Sequence, residues 1–437
     1  MEEQTERTKE TELSAKAKKR KSDKTEKEAL MTGIIIGMGI SLLVATLVLC
    51  VKILKADNTN TVVSETVSDG DVSEGRYASV IDGAGVTDKI AMIDTIIDNY
   101  YIEDIDNKEI EEGIYDGMMD SLKDPYADYY TAEELMELTS DTEGIYDGIG
   151  AYLMKSTENA YPVITGVIKG SPAEKAGLKI DDYITKVNGE DIIDMELTEV
   201  VSHIKGKEGT KVDITVMRLS TKEELVLSMV RSTIETPTVE YENKGDGVAY
   251  ISISQFTTVT VSQFEKAMSD ARKDGMKGLI LDLRGNPGGS LVSVIDISEQ
   301  LLPKGLIVFT EDKYGKREEY TSSGKNEIDV PVVVLIDGGS ASAAEILSGA
   351  IKDYGIGTLI GTTTYGKGIV QRVIPMRDGS AVKLTVSHYY TPLGNDIHKV
   401  GVEPDETVEF DADKYMEDQT DNQLERALEV IKEKIGQ

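Results

Sequence analysis

Apolar positions recur along this chain in several distinct rhythms, and each marks out a different part of it. From Met31 to Val51 the residues MTGIIIGMGISLLVATLVLCV include no charged side chain. At about 1.5 Å per helical residue, such a run matches the roughly 30 Å hydrocarbon core of a bilayer. A buried core helix normally keeps one polar face and this stretch has none, so it predicts a transmembrane helix over 31–51. Further on, Ile90, Ile93, Ile97 and Tyr100, then Ile110, Ile114 and Met118, fall at helical spacing and predict two helices closed by Asp124-Pro125-Tyr126. Leu197, Val200, Val201 and Ile204 at i, i+3, i+4 and i+7 predict another.

From residue 247 the rhythm becomes that of a βαβ unit. Strand 247–253 is followed by helix 261–273, with Phe264, Ala267, Met268 and Ala271 inward, and by a buried strand over 278–283. A hairpin around Lys313-Tyr314-Gly315-Lys316 comes next, then a strand from Val332 to Ile336 and an amphipathic helix beginning at Ser342. Ala343, Ile346, Leu347 and Ile351 form the apolar face of that helix. Strands over 358–360 and 369–374 and a last helix over 422–434 complete the pattern.

Charge adds orientation to the membrane segment. Lys16, Lys18, Lys19, Arg20, Lys21, Lys24 and Lys27 precede it, while only Lys52 and Lys55 follow closely. The positive-inside rule then keeps residues 1–30 in the cytoplasm and places everything after Val51 outside the cell membrane, anchored by a single pass. The long charged region before the apolar run, with no small-x-small site after it, argues against a cleavable signal peptide. Residues 52–86 are polar, acidic and poor in large apolar groups, which predicts a flexible tether. The only cysteine, Cys50, lies in the apolar run, so a disulfide framework is excluded for the exported part. A net charge of −32 argues against a nucleic-acid partner, because phosphate binding needs a basic surface.

Candidate chemistry concentrates between Val332 and Gln371. Ser342 stands at a helix N-terminus, where backbone N–H groups without intrahelical partners and the positive end of the helix dipole can stabilise an oxyanion. A serine needs a base, and the chain has only three histidines, none with a partnering pattern nearby. Lys367, flanked by Gly366 and Gly368, can serve if burial lowers its pKa enough to hold it neutral. Gln371 can orient that amine by a neutral hydrogen bond. Ser342 alone reads as an ordinary helix cap. Gly361 to Lys367 also fits the first seven positions of a phosphate-binding loop, but Gly368 stands where Ser or Thr should hold magnesium, and a strand follows where that loop needs a helix. The S-x-x-K pattern occurs twice, at Ser202 to Lys205 and Ser322 to Lys325, without a companion K-T-G.

SASAAE, then KDYG and YGKGIVQ, resembles the active-site segment of the C-terminal processing (tail-specific) peptidases, S41-type serine proteases with a Ser-Lys dyad. The resemblance implies Ser342 as nucleophile, Lys367 as general base and Gln371 as the support of the lysine, with Asp353 structural. Ala344 stands where the family often has serine, and Asp337 where it often has asparagine. Leu283 to Gly289 resembles the family's L-R-x-N-x-G-G segment, which implies an oxyanion hole from the N–H of Gly288 or Gly289 together with that of Ala343. His388 and His398, near the family's closing motifs, remain as alternative bases. Residues 144–231 resemble a PDZ domain, in which Gly148, Ile149, Gly150 and Ala151 would form a carboxylate-binding loop and helix and strand a groove for an extended tail.

The fold class expected is α/β (α+β) and multidomain: a transmembrane helix, a helical region over 87–143, a PDZ domain over 144–231 placed before a crotonase/ClpP-like serine protease core over 232–412, and a C-terminal helix over 413–437. The function implied is a membrane-anchored endopeptidase that reads free, apolar C-terminal tails of protein substrates, with no metal or organic cofactor. A non-catalytic or self-inhibited PDZ module is the alternative. By analogy with the family, the N- and C-terminal helices are candidate elements of a homodimer.

Overall fold

The computed structural model describes residues 82–156 and 160–436, and the tail, the transmembrane stretch and nearly all of the tether predicted above lie outside them. No helix among the described residues is long and apolar enough to cross a membrane.

Helix α1 (Gly83–Tyr100) starts inside the expected tether because Asp82 caps it, its side chain accepting from the Gly85 N–H. Helix α2 (Asn107–Asp120) follows. The region expected to be purely helical then supplies a strand, β1 (Asp128–Tyr130), before α3 (Ala132–Glu143), which opens with a Thr131/Glu134 capping box. The 128–130 segment is short and aromatic, and it is strand only because another strand lies beside it: its register pairs Asp128 with Lys383.

Strand β2 (Ile145–Gly148) leads into a compact unit of β3 (Ala151–Met154), β4 (Val163–Val167), α4 (Pro172–Ala176), β5 (Asp182–Val187), β6 (Glu190–Asp191), α5 (Leu197–Ile204), β7 (Lys211–Arg218) and β8 (Glu223–Val230). Its core gathers Ile149, Ile164, Ile184, Val200, Ile204 and Ile214. The chain leaves by β9 (Ser232–Glu235), which pairs antiparallel with β2, so the entry and exit strands of the unit form one ribbon.

The last unit contains β10 (Val239–Asn243), β11 (Val248–Ile253), α6 (Thr258–Lys273), β12 (Gly278–Asp282), α7 (Leu291–Ser298), β13 (Gly305–Asp312), β14 (Arg317–Ser322), β15 (Val332–Ile336), α8 (Ala343–Tyr354), β16 (Gly357–Gly361), β17 (Ile369–Pro375), β18 (Ala381–Tyr390), β19 (Glu406–Thr407), α9 (Ala412–Asp418) and α10 (Asn422–Ile435). A six-stranded sheet in the order β10-β11-β12-β15-β16-β19 is parallel except for β10. Both faces are covered. Leu279, Leu281, Val332, Val334 and Ile336 meet α6, α7 and α8, while Ile280, Val333 and Leu335 meet Ala427, Val430 and Ile431 of α10. Side chains alternate across a strand, so a sheet buried on both faces needs the unbroken apolar runs seen in this sequence.

Two details differ from the sequence pattern. The C-terminal segment forms two helices, broken at Gln419 in the left-handed region, and the apolar stripe of the second covers the chain's own sheet. Helix α8 is not amphipathic in place: it is buried on every side from Ala343 to Ile351.

Candidate active site

Three successive parallel strands, β12, β15 and β16, deliver loops at their carboxyl ends, where open α/β sheets bind ligands. The first loop carries Arg284 to Gly289, the second ends at Ser342 and the third carries Thr364 to Gly368. Arg284 fixes the first by donating to Asp282, Asp421 and Gln423, which ties the strand end to the start of α10.

Ser342 is buried and held at φ 53° and ψ −111°, a conformation costly for a residue with a β-carbon. Such strain presents a side chain at a sharp strand-to-helix turn. What holds it there is Glu345, which is 0% exposed. One carboxylate oxygen of Glu345 accepts from the N–H of Ser342 at 2.8 Å and of Lys367 at 2.8 Å; the other accepts from Gly366 N–H at 2.7 Å and Thr364 Oγ1 at 2.6 Å. The Ser342 loop and the Lys367 loop are thus fastened to one buried carboxylate. Tyr389 adds a second bridge, its hydroxyl donating toward the carbonyls of both Ser342 and Lys367. Burial pushes the Glu345 carboxyl up against the pull of its four donors. The sequence signal for Glu345 is the spacing Ser342-Ala-Ala-Glu345, the S-x-x-E signature of a capping box.

Lys367 is 3% exposed, and its pKa is lowered to about 7, first by burial and next by the charge of Lys383; Asp124 and Glu345 oppose the shift. The flanking glycines allow backbone contact: a β-carbon on Gly366 would lie 3.0 Å from Val400 N, and one on Gly368 2.6 Å from His398 N. The Lys367 ammonium faces the ring of Tyr126 at 3.8 Å from its centroid. Among the described residues it makes no hydrogen bond to Ser342 Oγ or to Gln371. Gln371 is buried nearby, donating to Thr385 Oγ1 at 3.3 Å, and its Oε1 has no partner.

Gly288 and Gly289 play different parts. A β-carbon on Gly288 would lie 2.8 Å from Ser342 Cβ and 2.9 Å from Ala343 N, so this glycine packs directly on the Ser342 turn. Its N–H, however, donates to Asn286 Oδ1 at 2.8 Å. Among the described residues, the N–H groups of Gly289 and Ala343 have no protein acceptor. His388 and His398 face each other edge-on with ring centroids 5.3 Å apart, and neither is hydrogen bonded to Ser342. Asp353 is structural, as the sequence implied: its carboxylate accepts from Leu393 N–H and Asn395 Nδ2 and clips that loop. Asp337 accepts from Gly285, Gly339 and Ser340 N–H groups and braces the turn before Ser342. The strand at β17 removes the phosphate-loop reading, which required a helix there.

The second candidate surface lies in the compact unit. The carbonyls of Ile149 and Gly150 accept from Ala173 and Ile168 N–H groups, and among the described residues the N–H groups of Ile149 and Gly150 have no protein acceptor. Gly150 has φ 78°, and a β-carbon there would strike Ser171. Ala151 begins β3, an edge strand paired only with β4. An edge strand beginning at free backbone donors can accept an extended peptide and its terminal carboxylate. Among the described residues no cluster of His, Cys, Asp and Glu suited to a metal ion occurs.

Residues 247–408 match the profile of peptidase family S41, residues 163–218 that of the PDZ domain, and residues 49–134 that of the activating protease CtpB N-terminal domain. The chain is similar to the carboxy-terminal processing protease CtpB of Bacillus subtilis (strain 168), with 39% identity covering 72% of this chain and 66% of the relative. A probable CtpA-like serine protease of Staphylococcus aureus (strain bovine RF122 / ET3-1) is 37% identical over 77% of this chain and 68% of its own length. The chain therefore spans about two thirds of the length of the curated relatives it matches. Among solved structures, a photosystem II D1 C-terminal processing protease is 28% identical, with a TM-score of 0.44 over 73% of this chain and 86% of its own.

Proposed function

Because this chain belongs to the C-terminal processing proteases of peptidase family S41 and carries a PDZ domain, we propose that it is a serine endopeptidase that engages free C-terminal tails of protein substrates and cleaves them with a Ser342–Lys367 dyad. Neutral Lys367 takes the proton of Ser342 Oγ as that oxygen attacks the scissile carbonyl carbon. The oxyanion receives the N–H groups of Ala343 and Gly289. The C–N bond then breaks, Lys367 returns the proton to the leaving amine, and an acyl-serine remains. Water gives its proton to Lys367 and attacks the ester; collapse releases the new carboxyl end, and the proton goes back to Ser342. Gln371 Oε1 is the acceptor that orients the amine. No step calls for a metal or organic cofactor.

The observation that carries this reading is the Glu345 carboxylate, which fastens the backbone of Ser342 and of Lys367 to a single oxygen, beside a lysine whose pKa burial lowers to about 7. Tail recognition rests on the free N–H groups of Ile149 and Gly150 at the start of the β3 edge, with Gly148 and Ala151 completing the loop. The uncharged run over 31–51 supports a single-pass anchor with the catalytic part outside. The exposed apolar side chains of α1 and α2 support a homodimer through those helices.

The test mixes the full chain with an unstructured protein ending in apolar residues, beside the Ser342→Ala variant and an amidated tail. Cleavage by the wild type alone, weakened by amidation, is the expected result. Cleavage by both proteins would sink the serine assignment, and indifference to amidation would sink the tail reading. A second reading, a self-inhibited form of the same enzyme, is favoured by the position of the Lys367 ammonium on the Tyr126 ring, away from any bond to Ser342 Oγ. A free apolar-ended peptide would then stimulate turnover of another substrate, whereas simple competition would lower it.

A further inference from the structure

Two lysines are buried at the β17–β18 ladder, Lys383 on β18 and Lys367 two residues before β17, and the reaction proposed above uses only one. Lys367 is 3% exposed and Lys383 6%. The ladder relates them. Gln371 lies opposite Thr385 and donates to it, and Lys383, two positions before Thr385 on β18, shares its face. Lys383 lies opposite Asp128 of β1, and its ammonium donates to Asp128 Oδ2 at 3.3 Å and to the hydroxyl of Tyr130.

The charged and titratable groups around the pair are unequal. Lys383 faces Asp128 and Tyr130, with Asp124 beyond. Lys367 faces the ring of Tyr126, which itself interacts with Tyr365; the Asp124 charge; and the Glu345 carboxylate, which already accepts four hydrogen bonds. Tyr389 donates to the Lys367 carbonyl, not to its amine. A poorly solvated site disfavours two ammonium groups together, and the one with its own carboxylate keeps the proton.

We propose that Lys383, anchored by Asp128 and Tyr130 of the N-terminal strand β1, is a positioning residue for the Ser342–Lys367 site: its ammonium takes the single positive charge this face tolerates and leaves Lys367 a free amine. Burial alone would act on both lysines alike; Asp128 is what makes them different. Docking of β1 on β18 is thereby part of the condition for a competent base. The inference rests on the Ser342–Lys367 reading.

The experiment measures kcat/KM against pH for the full chain and for the Lys383→Met, Lys383→Arg and Asp128→Asn variants. In Lys383→Met the acid limb moves to higher pH by about one unit, so that activity near pH 7 falls severalfold and recovers near pH 9. Lys383→Arg, which keeps the charge, keeps the limb. Asp128→Asn moves it in the same direction by less. A Lys383→Met enzyme that is weaker at every pH with its limb in place would overturn the proposal, because a merely structural lysine lowers activity without moving the limb. Should Lys383→Met fail to fold, Asp128→Asn decides, since Asp128 is half exposed; an unmoved limb there is equally fatal. Failure of the underlying reading looks different: Lys367→Met would retain activity, or the wild type would show no limb near neutrality.

Discussion

Helix α8, which begins at Ser342, and the helix pair α1–α2 draw on similar apolar side chains and end in opposite states. Every residue of α8 from Ala343 to Ile351 is buried, enclosed by the parallel sheet, by α7 and by β13. Neither α1 nor α2 has a single buried residue, and Ile93 and Ile96 remain about half exposed, at 49% and 51%. Helix α1 is held locally, by the cap at Asp82 and by side chains such as Thr95 that bond back to the preceding turn, whereas α2, capped by Asp106, also rests Tyr115 against Tyr129 of β1 at 5.2 Å between ring centroids. Propensity and caps are enough to shape a helix, but burial is what makes it a fixed part of the fold. Reaction and stability should therefore both respond to changes around α8, while changes on α1 should leave the fold intact.

The sharpest test is Ser342→Ala. It should lower kcat by on the order of 10⁴-fold or more, equivalent to about 5 kcal/mol or more of transition-state stabilisation, while the denaturation midpoint stays close to wild type. Substantial residual turnover would place the chemistry outside α8. Next comes Leu347→Ala, which empties a fully buried position between sheet and helices. We expect a loss of about 2–5 kcal/mol by urea or guanidinium titration. A loss below about 1 kcal/mol would mean that α8 is not locked by packing.

Gly288→Ala places a β-carbon 2.7 Å from Ala341 O and 2.8 Å from Ser342 Cβ, at φ 102°. Strain of about 1–3 kcal/mol should follow, with a kcat loss larger than any change in KM, because the turn that presents Ser342 must shift. A variant with wild-type kcat would show that this turn gives way without moving Ser342. The pH profile ranks below it. In the proposed mechanism the reactive form of Lys367 is the neutral amine, so activity should fall as pH drops through about 7. One pH unit below that point, about one tenth of the base remains free, and kcat/KM should drop about tenfold. A profile flat from acid to alkaline pH would exclude the assigned base.

Much of this arrangement is legible in the sequence, for physical reasons that differ by residue. Strands buried on both faces leave continuous apolar runs, so β12 and β15 stand out, and Phe264, Ala267, Met268 and Ala271 of α6 fall on the face they predict. Ser342, Lys367 and Gln371 are close in sequence and share one motif. Glu345 was within reach through its spacing from Ser342. Tyr126 and Lys383 were not, because their roles arise from contacts remote in sequence: Lys383 meets Asp128 across 255 positions. The start of α1 was masked by Gly83 and Gly85, which weaken the helical signal just where Asp82 caps it.

The smallest effect belongs to α1, and it bears most directly on the contrast between the helices. Ile96→Ser removes a large apolar side chain that is half exposed and belongs to no buried cluster. In the isolated chain it should change unfolding free energy by less than about 0.5 kcal/mol, since little apolar area returns to water. The same substitution separates two origins of α1's exposed face. If that face is covered by a second copy of the chain, Ile96→Ser weakens association in sedimentation or light scattering while the stability of the dilute monomer stays put. If instead the dilute chain loses stability on the scale of Leu347→Ala, then α1 packs as firmly as α8, and the division between a fixed core around α8 and a locally held α1 fails.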